Sequence, residues 1–356
     1  MASKDKRVTT GDIAKYVGVS QTTVSLVLNG RADVGISEET ERRVREAAIK
    51  LGYMQPTAPV VTMTGNRQDI AFIVPDIINP SFSAVLAAAS LYAFRKKVGL
   101  LVCNTDRSNA IEREYITQLV ARNVGGILYT CAPTCSDLLE KAQRKIPVVV
   151  VGDTQQVTNL PTVATDGYRG GEMLAQYLHE MGHRHFAYIT PPVNSVSVMR
   201  KQRLAGISDF LKRAGVDAFY VYEHPSHIAN GNEIFEIAMG QMQTERILKE
   251  HPGVTAIIAQ GDLVAIGAYK AIKAAGLRIP DDLSVVGFDN IEYGRHITPA
   301  LTTIDTKMGL RVEYAFETLI QLMSGKLMDT EPLFVDFRSS LVVRESAAPP
   351  RAKDGG

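Results

Sequence analysis

TTGDIAKYVGVSQTTVSLVLNG occupies residues 9–30, and its spacing decides how the chain begins. Asp12 to Val17 carries a short apolar pattern of helical period. Gly18-Val19 interrupts it. Ser20 is placed to cap a second helix running through Leu28, because its hydroxyl accepts from otherwise orphan backbone N–H groups. Asn29-Gly30 ends that helix. Two short helices joined by a tight turn make a helix-turn-helix shape. Along 20–29, Val24, Val27 and Leu28 face inward, whereas Gln21, Thr22, Ser25, Leu26 and Asn29 face outward. This outer face is short, polar and free of acids, so it can enter a DNA major groove without repelling phosphates. Gln pairs with an adenine edge, and Thr or Leu methyl groups touch a thymine methyl. A small helical protein-interaction module has the same spacing, so both readings stand at this point.

The pattern continues outward in the same helical rhythm. Ser37 caps a third helix, where Glu38, Glu39 and Glu41 suit the positive N-terminal dipole. Val44, Ala47, Ala48 and Leu51 then recur at i, i+3, i+4, i+7 as one buried stripe. Gly52 stops it, and a linker with Pro56, Pro59 and Gly65 follows. From residue 69 strands alternate with helices. Strands are predicted at 70–75, 100–104, 127–130 and 147–151, with helices at 82–97, 111–123 and 138–145 between them. A second series places strands near 186–190, 218–222, 256–259 and 284–288. Such alternation means parallel sheets covered by helices on both faces. About 280 residues exceed one comfortable core, so two similar subdomains are expected. The segment AAPPRAKDGG after Ser346 is expected to be disordered.

Composition limits the function classes. The chain has 356 residues, 45% hydrophobic and 22% charged, which excludes disorder as the dominant state. Lys and Arg number 39 against 38 Asp and Glu, which excludes a bulk polycation. Residues 1–68 carry a net charge of +3 and the remainder −2, an asymmetry that a solvated surface or a nucleic-acid patch explains equally well. Cys103, Cys131 and Cys135 cannot build a disulfide framework, which points to a reducing, cytoplasmic setting. MASKDKRVTT at the start has no apolar signal region. The apolar run 146–151 is far short of the ~20 residues that span a bilayer.

TTGDIAKYVGVSQTTVSLVLNG at 9–30 and SEETERRVREAAIKLGY at 37–53 resemble the DNA-binding head of the lactose-repressor family. The resemblance continues through VPDIINPSF at 75–82, RLAG at 203–206, GDLVAIGAYKAI at 261–272, IPDDLSVVGFDN at 279–290, TPALTTID at 298–305 and LVVRES at 341–346. It implies an all-α helix-turn-helix head over 1–55 and a hinge over 56–68. It also implies an α/β, two-subdomain, periplasmic-binding-protein-like core over 69–345. The first subdomain would take about 69–164 and 306–325, the second about 165–305 and 331–344, with three strands crossing between them and a tail at 346–356. It further implies a homodimer on a pseudo-palindromic operator. Carried over by position, Gln21, Thr22 and Leu26 would read bases, while Ser20, Thr23, Ser25, Asn29 and Tyr53 would position phosphates. The family's hinge helix inserts a wedge into the minor groove, and that position falls at Met63. Here the linker departs from the family pattern. Pro59 fits only the first turn of a helix, and Val60, Val61 and Thr62 are poor helix formers. The hinge is therefore either a weak helix that orders on DNA or a non-helical linker. No leucine heptads follow residue 345, so a dimer rather than a tetramer is expected.

In open parallel sheets ligands sit beyond the carboxyl ends of strands. Asp76, Asp106, Asp153, Asp262 and Asp289 fall at such ends, and carboxylates accept hydrogen bonds from hydroxyls. The resemblance implies an effector site between the subdomains at Phe82, Asp106, Asp153, Arg203, Asp262 and Asp289. A sugar or sugar derivative is the commonest effector class in that family and a purine the minority one. An Asp at a strand end also serves local structure, and for Asp76 and Asp262 the two roles weigh equally. Ligand closure of the cleft would move the heads of the dimer.

Other signals carry less. Cys131 and Cys135 lack the further ligands a metal site needs. His183 and His185 fit a local structural role, and His224 and His227 lie in a longer loop. Gly167, Gly170 and Gly171 do not form a dinucleotide-binding turn. Ser195 and Ser197 lack a nucleophile elbow. No cofactor, metal or membrane partner is expected. The best reading is a ligand-controlled DNA-binding regulator, most plausibly a repressor. A two-lobed sugar-binding protein without DNA function and a carbohydrate-active enzyme are the alternatives.

Overall fold

The computed structural model describes residues 9–28, 36–51, 53, 68–152, 160–192, 198–224, 234–326 and 333–351. The chain divides into two compact units, Met1–Met63 and Thr64–Gly356.

The first unit holds α1 (Thr10–Val17), α2 (Gln21–Leu28) and α3 (Glu38–Lys50). Thr9 and Asp12 form a capping box: the Thr9 hydroxyl accepts from Asp12 N at 3.3 Å, and Thr9 N donates to Asp12 Oδ2 at 2.8 Å. This reciprocal pair satisfies two orphan donors. Gly18 ends α1 at φ +78°, a left-handed conformation in which a side chain would be strained. Ser20 caps α2, accepting from Thr23 N at 3.0 Å. Ser37 caps α3, accepting from Thr40 N at 3.3 Å. Ile13, Val17, Val24, Val27, Val44, Ala47 and Ala48 close the core of this unit. Arg43 Nη2 donates to the Val17 carbonyl at 2.8 Å, tying α3 to the end of α1.

The second unit continues with β1 (Ile70–Val74), α4 (Pro80–Lys96), β2 (Leu100–Asn104), α5 (Asn109–Ala121), β3 (Gly126–Tyr129), α6 (Ser136–Gln143), β4 (Val148–Val151) and β5 (Thr162–Thr165). Then come α7 (Gly167–Glu180), β6 (His185–Thr190), α8 (Val198–Arg213), β7 (Ala218–Glu223), α9 (Phe235–Glu250), β8 (Ala256–Ala259), α10 (Asp262–Ala274) and β9 (Ser284–Val286). It closes with α11 (Tyr293–His296), β10 (Thr303–Asp305), α12 (Met308–Met323), β11 (Phe334–Phe337) and β12 (Ser340–Val342).

Two parallel sheets result, and they define two lobes. The first has six strands in the order β11-β5-β4-β3-β1-β2, and the second has four in the order β7-β6-β8-β9. β10 and β12 pair antiparallel as a third, two-stranded piece. α12 packs its Val312, Ala315, Phe316 and Leu319 into the first lobe's core, although it follows β6 to β9 of the second lobe in sequence.

Three features differ from the sequence reading. β5 was not anticipated, because TVAT is short and half threonine. Its Thr162 and Thr165 hydroxyls are buried and bonded to the Leu160 and Phe337 carbonyls at 2.8 and 2.9 Å. The stretch 331–344 does not belong to the second lobe as one piece. β11 joins the six-stranded sheet beside β5, and only β12 crosses back to pair with β10. The tail is ordered through residue 351. Ser346 is fully buried, donates to Val285 O at 2.6 Å and accepts from Thr302 N at 2.8 Å. Ala348 O meets His183 Nε2 at 2.9 Å, and Arg351 pairs with Asp282 at 2.8 Å. A local reading of AAPP does not see these partners, which lie 44 or more residues away.

Candidate functional site

The first candidate surface is the outer side of α2. Gln21, Thr22 and Ser25 are exposed, and Thr23 and Leu26 are half-buried beside Val24 and Val27. Gln21 Nε2 donates to Thr10 Oγ1 at 2.9 Å, so the amide is already oriented by α1. The Ser20 and Thr23 hydroxyls lie 2.8 Å apart. One donates to the other, which leaves one hydroxyl proton for an outside acceptor. Tyr53 is 40% exposed. Asn29, Met63 and the linker 56–65 lie outside the described residues.

The second is a cavity of about 780 Å³ between the two lobes, at the carboxyl ends of both sheets. Phe82, Arg203 and Asp289 line it as the sequence reading expected. Asp106 does not: it is exposed at φ +49°, and the adjacent Arg107 reaches the cavity instead. Asp153 lies outside the described residues. The Asp262 side chain is turned away into the second lobe. It is 1% exposed and accepts from Ile291 N at 2.8 Å and from the Thr303 hydroxyl at 2.5 Å. Its role is to brace the loop that carries Asp289 against β10. Burial, and then the neighbouring Asp289 carboxylate, push its pKa up to about 8. Asp76 is also local, accepting from Ile78 N at 2.9 Å in a tight turn.

Helix packing holds Arg203 in place. A Cβ at Gly171 would overlap the Arg203 carbonyl, and one at Gly206 would overlap the Tyr168 carbonyl. One glycine on each helix, Gly171 on α7 and Gly206 on α8, therefore lets the two meet backbone to backbone. Arg203 is 2% exposed. Its guanidinium lies 3.2 Å from the Phe288 ring centroid, and Nη1 donates to the Gln260 carbonyl.

Sequence reading missed three further arginines on the cavity wall: Arg107, Arg200 and Arg311. Arg107 Nη2 donates to Glu236 Oε1 at 2.7 Å, and Asn79 Nδ2 reaches the same oxygen at 3.3 Å. Glu236 sits at the start of α9, so this cluster joins the first lobe to the second. Arg311 is fully buried, and its Nη2 donates to Val163 O at 3.2 Å. Burial holds the Arg311 pKa down to about 10 and, with Arg107 and Arg203 nearby, does the same for Arg200. Asp289 moves the other way. Burial raises it to about 6, against the pull of Arg203 and Arg311. Arg311 had one legible signal, a charge beside the apolar stripe Val312, Ala315, Phe316 and Leu319. Arg107 and Arg200 had none.

The remaining sequence candidates are structural or lie elsewhere. His183 is buried between Thr255 Oγ1 and Ala348 O, both at 2.9 Å, and burial lowers it to about 4. His185 is exposed at the start of β6, and His224 packs edge-on to Phe235. Cys135 Sγ donates to buried Glu112 at 2.9 Å. His227, Ser195 and Ser197 lie outside the described residues. Among the described residues no cluster of three metal-ligating side chains occurs, and no helix is long and apolar enough to cross a membrane.

A helix-turn-helix unit followed by a two-lobed cleft defines a class: DNA-binding regulators governed by a small ligand. The comparisons narrow it. Residues 9–55 match the family model of bacterial regulatory proteins, lacI family, and residues 175–347 match that of a periplasmic binding protein-like domain. The chain is 32% identical over 341 residues to the HTH-type transcriptional repressor PurR of Pectobacterium carotovorum, covering 95% of this chain and 96% of that one. It is 31% identical over 336 residues to the ribose operon repressor of Halalkalibacterium halodurans, covering 94% and 96%. A solved structure of the Lac repressor dimer, bound to operator and the anti-inducer ONPF, aligns with a TM-score of 0.68 at 26% identity, over 96% of this chain and all of that one. The chain belongs to the lacI family of bacterial regulatory proteins and is a ligand-controlled DNA-binding regulator rather than an enzyme.

Proposed function

We propose that the chain is a cytoplasmic, homodimeric repressor that reads a pseudo-palindromic operator through α2 and is governed by a small hydroxylated effector in the cleft. Gln21, Thr22 and Leu26 read base edges. Ser20, Thr23, Ser25, Asn29 and Tyr53 position phosphates, and Met63 is the candidate minor-groove wedge. Phe82, Arg203 and Asp289 contact the effector, and Asp153 remains a candidate. Asp106 and Asp262 are no longer in that set.

The observation that carries this reading is the convergence of Arg203 and Asp289, from α8 and from the loop after β9, on one cavity between lobes. A fixed guanidinium and a carboxylate together satisfy hydroxyl and carbonyl groups of a polar ligand. The relatives' names include both a ribose operon repressor and the HTH-type transcriptional repressor PurR. A sugar-like effector is favoured here because, among the described residues, only two aromatic rings, Phe82 and Tyr293, line the cavity, whereas the polar groups are many.

The test is operator selection from random DNA, followed by binding titrations with and without sugars, sugar acids, sugar phosphates and purines. One ligand should change operator affinity at least tenfold, and Arg203→Ala or Asp289→Ala should abolish that change without weakening ligand-free DNA binding. A response that survives both substitutions places the effector elsewhere.

A further inference from the structure

Among the described residues that line the cleft, two buried arginines, Arg203 and Arg311, make no ion pair within 4 Å. Four arginines line it, and most of the lining acids are already engaged. Glu236 takes Arg107, and Asp305 takes Lys307 at 2.6 Å. Glu292 faces Arg295 and His296. Glu112 is closed in by Thr134, Tyr129 and Cys135. Asp289 is left facing Arg200, Arg203 and Arg311, and among the described residues it has no ion pair within 4 Å. Among the described residues three buried guanidinium nitrogens also have no hydrogen-bond partner, Arg203 Nε, Arg311 Nε and Arg311 Nη1, and on the acidic side only Glu236 Oε2 shares that state. A buried charged donor without an acceptor is costly, so native proteins seldom keep one idle. Arg203 comes from the second lobe and Arg311 from the first, which puts these two residues on opposite walls of one cavity.

We propose that the effector is a hydroxylated anion, a sugar acid or sugar phosphate in chemical class, and that Arg311 and Arg203 bind its carboxylate or phosphate from the two lobes. This rests on the cleft being the effector site. A guanidinium offers paired donors that fit the oxygens of either group. Asp289 accepts from hydroxyls on the body of the ligand, and Phe82 covers an apolar face. The anion neutralises charge from both lobes at once, so its binding favours the closed cleft.

The experiment measures binding of D-gluconate, D-glucose 6-phosphate, D-glucose and inorganic phosphate to the full-length protein at matched ionic strength, by calorimetry. At least one anionic sugar should bind tenfold or more tightly than D-glucose, and inorganic phosphate should compete with it. Gluconate and glucose 6-phosphate distinguish carboxylate from phosphate. Arg311→Met should remove the preference for the anion while leaving any weak binding of D-glucose. If that variant fails to fold, Asp289→Asn serves instead: removing the opposing carboxylate should tighten inorganic phosphate severalfold. D-glucose binding as tightly as its charged counterparts overturns the proposal, as does an anion preference unchanged in folded Arg311→Met, or no binding of either sugar anion or phosphate. A neutral ligand that depends on Arg203 and releases operator overturns the anion while leaving the effector reading intact. Phosphate binding without any effect of cleft ligands on operator affinity does the reverse.

Discussion

The α2 face and the cleft recognise their targets by opposite means. The outer side of α2 carries short, neutral, largely exposed side chains, and its one oriented amide, Gln21, is held by a hydroxyl at the start of α1. No charge is buried there. The cleft walls carry buried guanidinium groups, a carboxylate raised to about 6, and donors with no partner. A surface that meets a polyanion gains from long-range attraction and needs only correct edges at contact. A closed cavity must replace all the water its ligand loses, so its charges have to be placed in advance. The first design lies within eight consecutive residues. The second draws on segments scattered from Pro75 to Arg311.

The two regions should also fail separately, and this gives the largest expected effect. Val24 is fully buried in a core of eight residues. Val24→Asp places an unpaired carboxylate there, at a cost of several kcal/mol. Operator binding should fall by more than 1,000-fold in a mobility-shift assay, while calorimetric binding of a cleft ligand stays within twofold. Loss of both would show that the units do not fold independently.

Within the cleft, the Arg107–Glu236 pair joins the lobes at 2.7 Å, with Asn79 on the same oxygen. Glu236→Gln removes the ionic partner of a mostly buried arginine, an effect of about 2–3 kcal/mol after allowing for partial exposure. Hydrogen exchange should quicken at 79–83 and 234–240 without ligand and return to the wild-type rate with it. Unchanged exchange would mean the pair does not hold the lobes together.

Asp262 supplies a pH test that α2, which has no ionisable side chain, cannot show. Its folded-state pKa is about 8, above the ordinary 3.8. Between those values the folded state binds the extra proton, so stability falls as pH rises, by up to ~1.4 kcal/mol per pH unit. The unfolding midpoint of the core should drop between pH 5 and pH 8. Asp262→Asn, which resembles the protonated form, should flatten that slope. An identical slope in the variant would assign the pH dependence to another group.

What was legible follows from range. The helix-turn-helix, its caps at Ser20 and Ser37 and its stripe Val44, Ala47, Ala48 are local patterns, and each appears in the structure. Eight strands of the two sheets, β1 to β4 and β6 to β9, were also legible, because each centres on an apolar stretch. β5 was not, since it is held by β11 and by partners such as Phe337 O far along the chain, which accepts from Thr165. For the same reason Arg203 and Asp289 were visible through resemblance, while Arg311 was not. Its place depends on α12 returning to the first lobe beneath β5. Asp106 and Asp262 show the converse error: a carboxylate at a strand end is a good local sign, but the turn after it decides whether the side chain faces the cavity.

The smallest effect tests whether Ser20 is a cap, a phosphate contact, or both. Its hydroxyl accepts from Thr23 N and shares a proton with the Thr23 hydroxyl. Ser20→Ala should cost about 1 kcal/mol of stability in the head by loss of the cap. Weakened DNA binding in that variant would not separate the two roles. Ser20→Asp does separate them, because a carboxylate caps as well and suits the helix dipole. Its negative charge nevertheless repels phosphate. If Ser20 touches the DNA backbone, the aspartate variant keeps its melting temperature yet binds cognate and non-specific DNA several-fold more weakly, to a similar degree. Gln21→Ala should contrast with it, losing about 1–3 kcal/mol on the cognate site alone. Equal operator affinity in Ser20→Asp and wild type would confine Ser20 to its cap and leave the neighbouring Thr23 and Ser25 to meet the phosphates.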